Sequence, residues 1–276
     1  MTIIQWLLRM LDLPMTQPEP YGWFHMLSLL LTVGLTVYLC VCCRKWSPEQ
    51  IRRLMLITAV TVALLEIYKQ INFGFSYTDG ITFDYAWYAF HFQFCSTPMY
   101  VGLLAGLTKE GAVHRAACAY LASYALFAGI CVMLYPNTVF VRTIGINIQT
   151  MICHGSMIVI GVYLLCSGYV KAEHKTILGA MPVFGICVLM AAGMNEIAYR
   201  TGLLETDTYD MFFISPYTEP SLPVYSMVQK AVPFPWCLIL YILGFSLAAY
   251  LILLIAIGVT HFIKKRRQAA IKVATK

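Results

Sequence analysis

Seven long hydrophobic runs constrain the fold of this chain more than any other feature. Six are roughly 20 residues long and one is near 28, so each is long enough to cross a bilayer as an α-helix. The runs cover residues 22–43, 51–72, 87–107, 114–135, 145–169, 177–199 and 235–263. Because every backbone amide in hydrocarbon must be bonded within its own segment, they predict helices rather than an open sheet. The sequence therefore predicts an all-α, polytopic membrane protein, a bundle of seven transmembrane helices.

The basic residues predict how this bundle lies in the membrane. Of 19 Lys and Arg residues, 14 fall after the first, third and fifth runs or in the C-terminal tail. Arg9, Arg142, Arg200 and Lys230 fall on the other side, and Lys69 lies within a run. Since cytoplasmic loops carry the excess of basic residues, the N-terminus is predicted outside and the C-terminus in the cytoplasm. The formal charge of +6 thus reflects topology; we expect membrane lipids as partners and no nucleic acid.

A single domain accounts for most of the chain. Residues 1–21 are predicted to form an interfacial segment, residues 22–263 the transmembrane domain, and residues 264–276 a basic cytoplasmic tail. The longest connection, residues 200–234, is predicted to be external and to form a lid, because loops of this length are usually functional or disordered. The sequence predicts an integral, multi-pass membrane protein, located in the cell membrane if the host is bacterial.

Polar side chains inside the hydrophobic runs are the best functional clue, because an ionisable group in hydrocarbon is costly unless it is paired or hydrated. They share a similar depth, in the outer halves of five predicted helices. They are His25, Ser28, Thr32, Glu66, Lys69, Gln70, His91, Gln93, Cys95, Asn147, Thr150, His154, Asn195 and Glu196. This convergence predicts one polar cavity that opens outward.

Some of these residues also have simpler explanations. Glu66 and Lys69 are three residues apart, so the pair can neutralise itself on one helix face, and Glu196 can do the same with Arg200 four residues later. The position of His25 suits an ordinary hydrogen-bonded anchor near the interface. A hydrogen bond to another helix would likewise account for His154.

Cys95 and two histidines indicate two possible chemistries. In a continuous third helix, His91 and Cys95 are four residues apart and share a face. A thiol near an imidazole suits nucleophilic acyl transfer. With His154 as a third ligand, the same residues could instead hold zinc with an open position, as in a lipid hydrolase. Because no tight zinc motif is present, we predict no metal and no cofactor. Pro98 is expected to kink the helix.

A binding or transport protein is the rival from another class. In this interpretation Glu66, Lys69 and Glu196 form the ligand or ion site. Inverted repeats would favour transport, and we find none in the sequence. A retinal protein is disfavoured because the last helix has no lysine before Lys264.

Four short segments resemble a known family. They are Tyr21-Gly-Trp-Phe-His25, Glu66-Ile-Tyr-Lys69, Phe92-Gln-Phe-Cys95 and Met151-Ile-Cys-His154. In these segments the chain resembles the YwaF-type integral membrane proteins, a bacterial group related to the eukaryotic transmembrane protein 164 family. The related eukaryotic proteins are understood as phospholipid acyltransferases with a membrane cysteine as catalytic residue. The resemblance therefore implies that Cys95 is the nucleophile and His154 its partner.

Overall fold

The computed structural model describes residues 2–76, 81–202, 209–219 and 221–274, and within these ranges the fold is all-α apart from one short hairpin. Six of the described helices are long and apolar enough to cross a membrane. They are Trp23–Cys42, Pro48–Asn72, Ala112–Leu134, Ile144–Ser167, His174–Thr201 and Trp236–Arg266. The prediction of a helical, multi-pass membrane protein is confirmed.

The helices are numbered in chain order. They are α1 (Ile3–Leu11), α2 (Trp23–Cys42), α3 (Pro48–Asn72), α4 (Thr97–Leu107), α5 (Ala112–Tyr120), α6 (Leu126–Leu134), α7 (Ile144–Ser167), α8 (Lys175–Thr201), α9 (Pro223–Ala231) and α10 (Trp236–Ala274). A π-helical turn, Leu121–Ala125, joins α5 to α6 into one span. Strand β1 (Phe75–Ser76) pairs antiparallel with β2 (Thr82–Phe83). Short 3₁₀ turns occur at Trp87–Ala89 and Met211–Phe213.

Local sequence explains where the first helices begin. At α3, Ser47 Oγ accepts from Gln50 N at 3.3 Å and Gln50 Oε1 accepts from Ser47 N at 2.8 Å, with Pro48 in the first helical position. These reciprocal bonds satisfy amides that have no partner inside the helix. Helix α1 starts with the same arrangement of Thr2 and Gln5 and buries none of its residues. An exposed amphipathic helix of this kind suits a membrane interface.

The third hydrophobic run is where the predicted fold is wrong. The sequence predicts one helix over residues 87–107, whereas helix α4 covers only the 11 residues from Thr97 to Leu107. At 1.5 Å per residue it is about 16 Å long, roughly half of the hydrocarbon core. Pro98 is the second residue of α4 and does not kink a longer helix, because a proline in the first turn removes an amide that has no partner anyway.

Close helix packing sets the depth of α4. A Cβ atom at Gly102 would lie 3.1 Å from the Ala59 Cβ, and one at Gly106 would lie 2.7 Å from the Leu56 Cβ. Only a residue without a side chain allows this approach, which is typical of helix contacts in membranes. The antiparallel register places Thr97 about 12 Å below the C-terminal end of α3. Helix α4 therefore begins well inside the bundle.

Aromatic rings fill the centre of the bundle and fix the chain before α4. The Tyr124 ring stacks on Phe184 with a centroid distance of 4.4 Å, and Tyr241 stacks on Phe245 at the same distance. Phe94 contacts Phe184 at 5.3 Å and Phe245 at 5.4 Å. The non-helical chain before α4 is thus held by rings from α8 and α10.

The connection predicted at residues 200–234 is described only in part. Residues 203–208, which include Glu205 and Asp207, and residue 220 lie outside the described residues. Residues 275–276 of the predicted tail also lie outside them. In the described part, Met211 and Phe212 are fully buried. This part of the connection therefore packs into the end of the bundle at which α8 ends, rather than standing away from it.

Candidate functional site

The candidate site is built around the break that precedes α4. The chain just before Thr97 is not helical, and Ser96 N and Thr97 N both donate to the Gln93 carbonyl, at 2.8 and 3.2 Å. The Thr97 hydroxyl donates to the Phe94 carbonyl at 2.8 Å and lies 2.7 Å from the Tyr120 hydroxyl. Non-helical backbone at membrane depth is tolerated only where it is buried in protein or lines a cavity. The break therefore marks a candidate functional site.

A buried ion pair lies beside the break. Glu66 has an exposed fraction of 5%, and its carboxylate lies 2.7 Å from Lys69 Nζ. Gln70 Nε2 donates to the same carboxylate at 2.8 Å, and Gln149 Nε2 donates to it from α7 at 3.2 Å. One cation and two amides thus offset the cost of holding this charge away from water.

Gln70 extends this network from α3 to the chain that follows α3. Its Nε2 also donates to the Ala89 carbonyl at 2.9 Å, and the Tyr85 hydroxyl donates to its Oε1. Gln70 is among the polar residues that predict the cavity, whereas Tyr85 and Gln149 are not. A signal existed for Gln149, because an amide side chain within an apolar membrane helix needs a buried partner.

Cys95 lies in the turn immediately before α4. Glu66 and Lys69 are close enough to interact electrostatically with its thiol. Cys153, buried on α7, donates its thiol to the Cys95 carbonyl at 3.7 Å. Burial and the Glu66 carboxylate oppose a thiolate at Cys95, whereas the Lys69 ammonium and the start of a helix favour it. Nothing in the sequence singles out Cys153, because a free cysteine in an apolar helix is usually a small filler.

His154 presents a ring nitrogen without a partner. Its exposed fraction is 5%, its Nδ1 lies 2.8 Å from the Thr150 carbonyl, and its Nε2 has no hydrogen-bond partner among the described residues. Because a carbonyl only accepts, Nδ1 carries the proton and Nε2 keeps a free lone pair. Lys69 is close enough to interact with the ring electrostatically. The ring is therefore available as a base for a group that enters the site.

Cys95 and His154 bond to other groups rather than to each other. In the described part of the chain, His154 Nδ1 bonds to Thr150 and the Cys95 carbonyl bonds to Cys153. A Cβ atom at Gly129 would lie 2.8 Å from the His154 carbonyl, so α6 packs directly against this turn of α7. Proton transfer between the two residues requires a substrate group or a water between them.

The predicted pairing of His91 with Cys95 on one helix face is wrong. His91 lies outside the described helices, with its ring 4.2 Å from that of Phe90, and its carbonyl accepts from the Tyr100 hydroxyl at 3.4 Å. A spacing of four brings side chains together only on a helical backbone. Within the described ranges, no group of three His, Cys, Asp or Glu side chains could hold a metal ion. The structure thus does not assemble the zinc ligands His91, Cys95 and His154.

Two amide side chains fasten residues 209–219 over the break; this segment is the described part of the connection predicted to be external, and we name it the outer loop. Gln93 Nε2 donates to the Asp210 carbonyl at 2.9 Å, and Gln93 Oε1 accepts from Phe212 N at 3.0 Å. Asn195 Nδ2 donates to the Met211 carbonyl at 3.0 Å, and its Oδ1 accepts from Met211 N at 2.8 Å. Phe212 is held at a φ of 61°, which is uncommon for a bulky residue. Gln93 and Asn195 therefore hold a loop conformation that the chain would not adopt alone.

Asp210 organises the same loop outside the membrane-spanning helices. Its carboxylate accepts from Ser215 N at 2.8 Å and from Thr218 Oγ1 at 3.0 Å. Burial raises the pKa of Asp210, and these hydrogen bonds partly oppose that effect. The carboxyl group is therefore easier to protonate in the folded loop than in water.

Two further predicted site residues join structural elements instead. His25 is fully buried; its Nδ1 accepts from Tyr21 N at 2.9 Å and its Nε2 donates to the Met133 carbonyl at 2.9 Å. Asn147 is also buried and bonds to both backbone groups of Val141, at 2.9 and 2.7 Å. Each side chain ties a helix to the chain next to it, away from the Glu66 network.

Glu196 lies near the C-terminal end of α8, on the surface. Its carboxylate accepts from the Arg200 side chain and from the Tyr217 hydroxyl. The Tyr217 ring stacks on Tyr199 at a centroid distance of 3.6 Å. Glu196 thus fastens the outer loop to α8 and does not join the carboxylate of Glu66 in one cavity.

Comparison with known families supplies the final observation. A model of the TMEM164 family matches residues 20–267 and so spans the break, the Glu66 network and His154. Comparisons with curated proteins and with solved structures find no match. The resemblance seen in four short segments is confirmed over most of the chain: this protein belongs to the TMEM164 family.

Proposed function

We propose that the protein is a membrane-embedded acyltransferase that acts on lipids, with Cys95 as its nucleophile. The observation that carries the proposal is the position of Cys95 in the turn before α4, with Lys69 and Glu66 nearby. The thiolate is the nucleophilic form of cysteine, and both a helix N-terminus and an ammonium group favour it. Membership of the TMEM164 family supports the same assignment.

The reaction has two balanced steps. In the first, Cys95 Sγ attacks the ester carbonyl of a donor lipid, the ester C–O bond breaks, and a thioester forms. The thiol proton passes to the departing alkoxide, which leaves as a hydroxyl on the lysolipid. In the second, a hydroxyl of an acceptor lipid attacks the thioester, the C–S bond breaks, and the acceptor proton returns to the Cys95 thiolate. No oxidant, reductant or metal takes part.

His154 is the proton carrier in this scheme. Its Nε2 has a free lone pair because Nδ1 donates to Thr150. The ring can therefore take the proton from the thiol or from the acceptor hydroxyl and then release it, as a general base and acid do. The Lys69 ammonium stabilises the negative charge that develops on sulfur, and Glu66 holds Lys69 in place at 2.7 Å.

The membrane orientation is part of the proposal. With the N-terminus outside, the α4 break faces the outer leaflet, in agreement with the excess of Lys and Arg at the opposite end. The third crossing then combines a non-helical outer half with α4 as its inner half, which gives seven crossings. Broken helices of this kind build substrate sites near the middle of other membrane bundles. In a bacterial host this membrane is the cell membrane.

The experiment is acyl exchange by the full-length chain reconstituted in phosphatidylcholine vesicles. The donor carries an isotope-labelled acyl chain, lysophosphatidylethanolamine is the acceptor, and mass spectrometry detects the labelled product. Cys95→Ser is expected to lower the rate by at least about a hundredfold, since it removes the nucleophile. Cys131→Ser, the same change at an exposed cysteine of α6, is the matched control. Equal rates for the two variants would refute the proposal.

A binding or transport function remains the second candidate, and the buried Glu66–Lys69 pair favours it. A buried charge pair is a common ion or proton site in membrane bundles. The predicted contribution of Glu196 is not part of it, because that residue is paired with Arg200 at the surface. If Cys95→Ser keeps full function in a solute-flux assay while Glu66→Gln abolishes flux, this candidate replaces the acyltransferase.

A further inference from the structure

A cavity lies at the opposite end of the bundle from the break before α4. It measures about 760 Å³ and is bounded by the beginnings of α3, α5 and α8 and by the turn after α7. Small-ligand sites typically range from roughly 300 to 1,000 Å³. We name it the basal cavity and define it by three basic residues in its lining, Arg115, Lys171 and Lys175.

None of these three cations forms an ion pair in the described part of the chain, although Glu110 and Glu173 also line the basal cavity. Where the structure describes the chain, the ion pairs involve Arg52, Arg53, Lys69 and Arg200, and none of them involves a cation of the basal cavity. Arg115 comes from α5, Lys171 from the turn after α7, and Lys175 from the start of α8. Like charges from three separate elements meet here only because the chain folds, and an anion would relieve their repulsion.

Hydrogen-bonded polar side chains line the buried side of the basal cavity. His114 has an exposed fraction of 3%; its Nε2 lies 2.7 Å from the Tyr169 hydroxyl and its Nδ1 lies 3.4 Å from Thr108 Oγ1. This arrangement fixes the Tyr169 side chain against the cavity. Burial raises the pKa of Tyr169 to about 12, so its hydroxyl stays neutral at physiological pH and adds no charge that would repel an anion.

We propose that the basal cavity binds a phosphate group, carried either by a lipid headgroup or by a soluble phosphate ester. Arg offers a planar fork of donors to phosphate oxygens and Lys offers a mobile point charge. The starts of α5 and α8 carry no side-chain cap, although at α8 Thr176 N donates to the Glu173 carbonyl at 3.0 Å. The proposal does not depend on the acyl-transfer function.

Two carboxylates give the proposal a second, opposite consequence. Glu110 and Glu173 also line the basal cavity, and neither forms an ion pair within the described part of the chain. They repel a phosphate that the three cations attract. Removal of the cations should therefore weaken phosphate binding, whereas neutralising the carboxylates should strengthen it.

The test is ligand-dependent thermal stabilisation of the full-length chain in a nonionic detergent, because a ligand that binds the folded state raises the unfolding midpoint. The two phosphate probes are dioleoyl phosphatidic acid in the micelles and glycerol phosphate in solution, and dioleoylglycerol is the lipid without phosphate. Two triple variants are compared. The cavity triple variant carries Arg115→Gln, Lys171→Gln and Lys175→Gln, and the α10 triple variant carries Lys264→Gln, Lys265→Gln and Arg266→Gln. Both sets remove three exposed cations, the second from the end of α10.

We expect saturable stabilisation by a phosphate probe and none by dioleoylglycerol. The cavity triple variant should bind on the order of tenfold more weakly, as for three exposed ionic contacts, and the α10 triple variant should bind like the wild type. Glu110→Gln with Glu173→Gln should bind more tightly. Stabilisation by phosphatidic acid alone identifies a headgroup, and equal stabilisation by glycerol phosphate identifies the phosphate itself.

Three results would overturn the proposal. They are no stabilisation by either phosphate probe, an equal loss in the α10 triple variant, and weaker binding after the carboxylates are neutralised. If the cavity triple variant does not fold, the single change Arg115→Gln decides in its place, with Arg266→Gln as control. Unchanged affinity in Arg115→Gln then counts against the proposal.

Discussion

Two ion pairs with similar helical spacing have very different surroundings in this molecule. Glu66 and Lys69 are three residues apart on α3, and Glu196 and Arg200 are four apart on α8. The Glu66 side chain is 7% exposed and that of Glu196 is 34% exposed. In both pairs the spacing predicts the contact that the structure shows. Spacing therefore indicates that a pair forms, but says nothing about what surrounds it.

Contacts from other elements make the difference. Gln149 reaches Glu66 from α7, and the break before α4 brings Cys95 within electrostatic range. Glu196 instead meets Tyr217 of the outer loop, in a position open to solvent or headgroups. The first pair is part of a polar network inside the bundle, and the second fastens a loop to the surface. A carboxylate thus becomes part of a candidate site through partners distant in sequence.

The largest expected effect is on stability and separates the two pairs. Glu66→Ala leaves the half-buried Lys69 ammonium without its carboxylate, which should cost on the order of 3–5 kcal/mol of unfolding free energy. Glu196→Ala leaves Arg200 in contact with solvent and should change the stability little. Unfolding in a sodium dodecyl sulfate titration measures both. Similar losses in the two variants would show that the Glu66 pair is no more buried than the surface pair.

A medium effect is expected for the helix-to-helix contact that only the Glu66 pair has. Gln149→Leu removes one donor to the carboxylate and leaves those of Lys69 and Gln70, so we expect a loss of about 1–3 kcal/mol. Ser156→Ala is the control on the same helix, because the Ser156 hydroxyl bonds only within α7 to the Cys153 carbonyl at 2.7 Å. The same titration should rank Gln149→Leu well above Ser156→Ala; the reverse ranking would remove Gln149 from the network.

The smallest expected effect concerns the outer loop. Burial raises the pKa of Asp210 above its usual value of 3.8, so the folded loop favours the protonated carboxyl. Its contribution to stability is then complete below that value and is lost as the pH rises through the folded pKa. Amide hydrogen exchange, corrected for intrinsic rates, should show protection of residues 209–219 decreasing as the pH rises above 3.8.

Asp210→Asn provides the control for this pH dependence. The amide keeps the shape of the side chain and does not titrate, so protection of the outer loop should become nearly independent of pH. A decrease of the same size in the variant would assign the pH dependence to another group.

Much of the fold follows from the sequence, because hydropathy reports both the length and the burial of a helix. The predicted spans for α2, α3, α7 and α8 agree with the structure to within a few residues. The run at 87–107 is less hydropathic than the six long spans, because polar residues such as His91 and Gln93 interrupt its first half, and that half is not helical. The length and overall apolar character of a run do not distinguish a helix from an irregular chain that aromatic rings bury, as Phe184 and Phe245 bury Phe94 here.

The candidate site is predictable only in one dimension. Depth along a helix can be counted in residues, and it places Glu66, Cys95 and His154 at similar levels. The direction in which a side chain points depends on helix packing, which a single sequence does not provide. For this reason the sequence predicts Asn147 in the site although it bonds to Val141, and does not predict Gln149 although it bonds to Glu66.

The central claim is that the break before α4 creates a reactive thiol. The most direct measurement is the rate at which a lipid-soluble maleimide modifies Cys95 in the full-length chain, compared with Cys131 on α6 and Cys187 on α8, by peptide mass spectrometry. We expect Cys95 to react fastest, because only a thiolate reacts readily. We also expect His154→Ala to slow the reaction of Cys95 without affecting that of Cys131 or Cys187. If Cys95 reacts no faster than Cys131 and Cys187, the claim is contradicted.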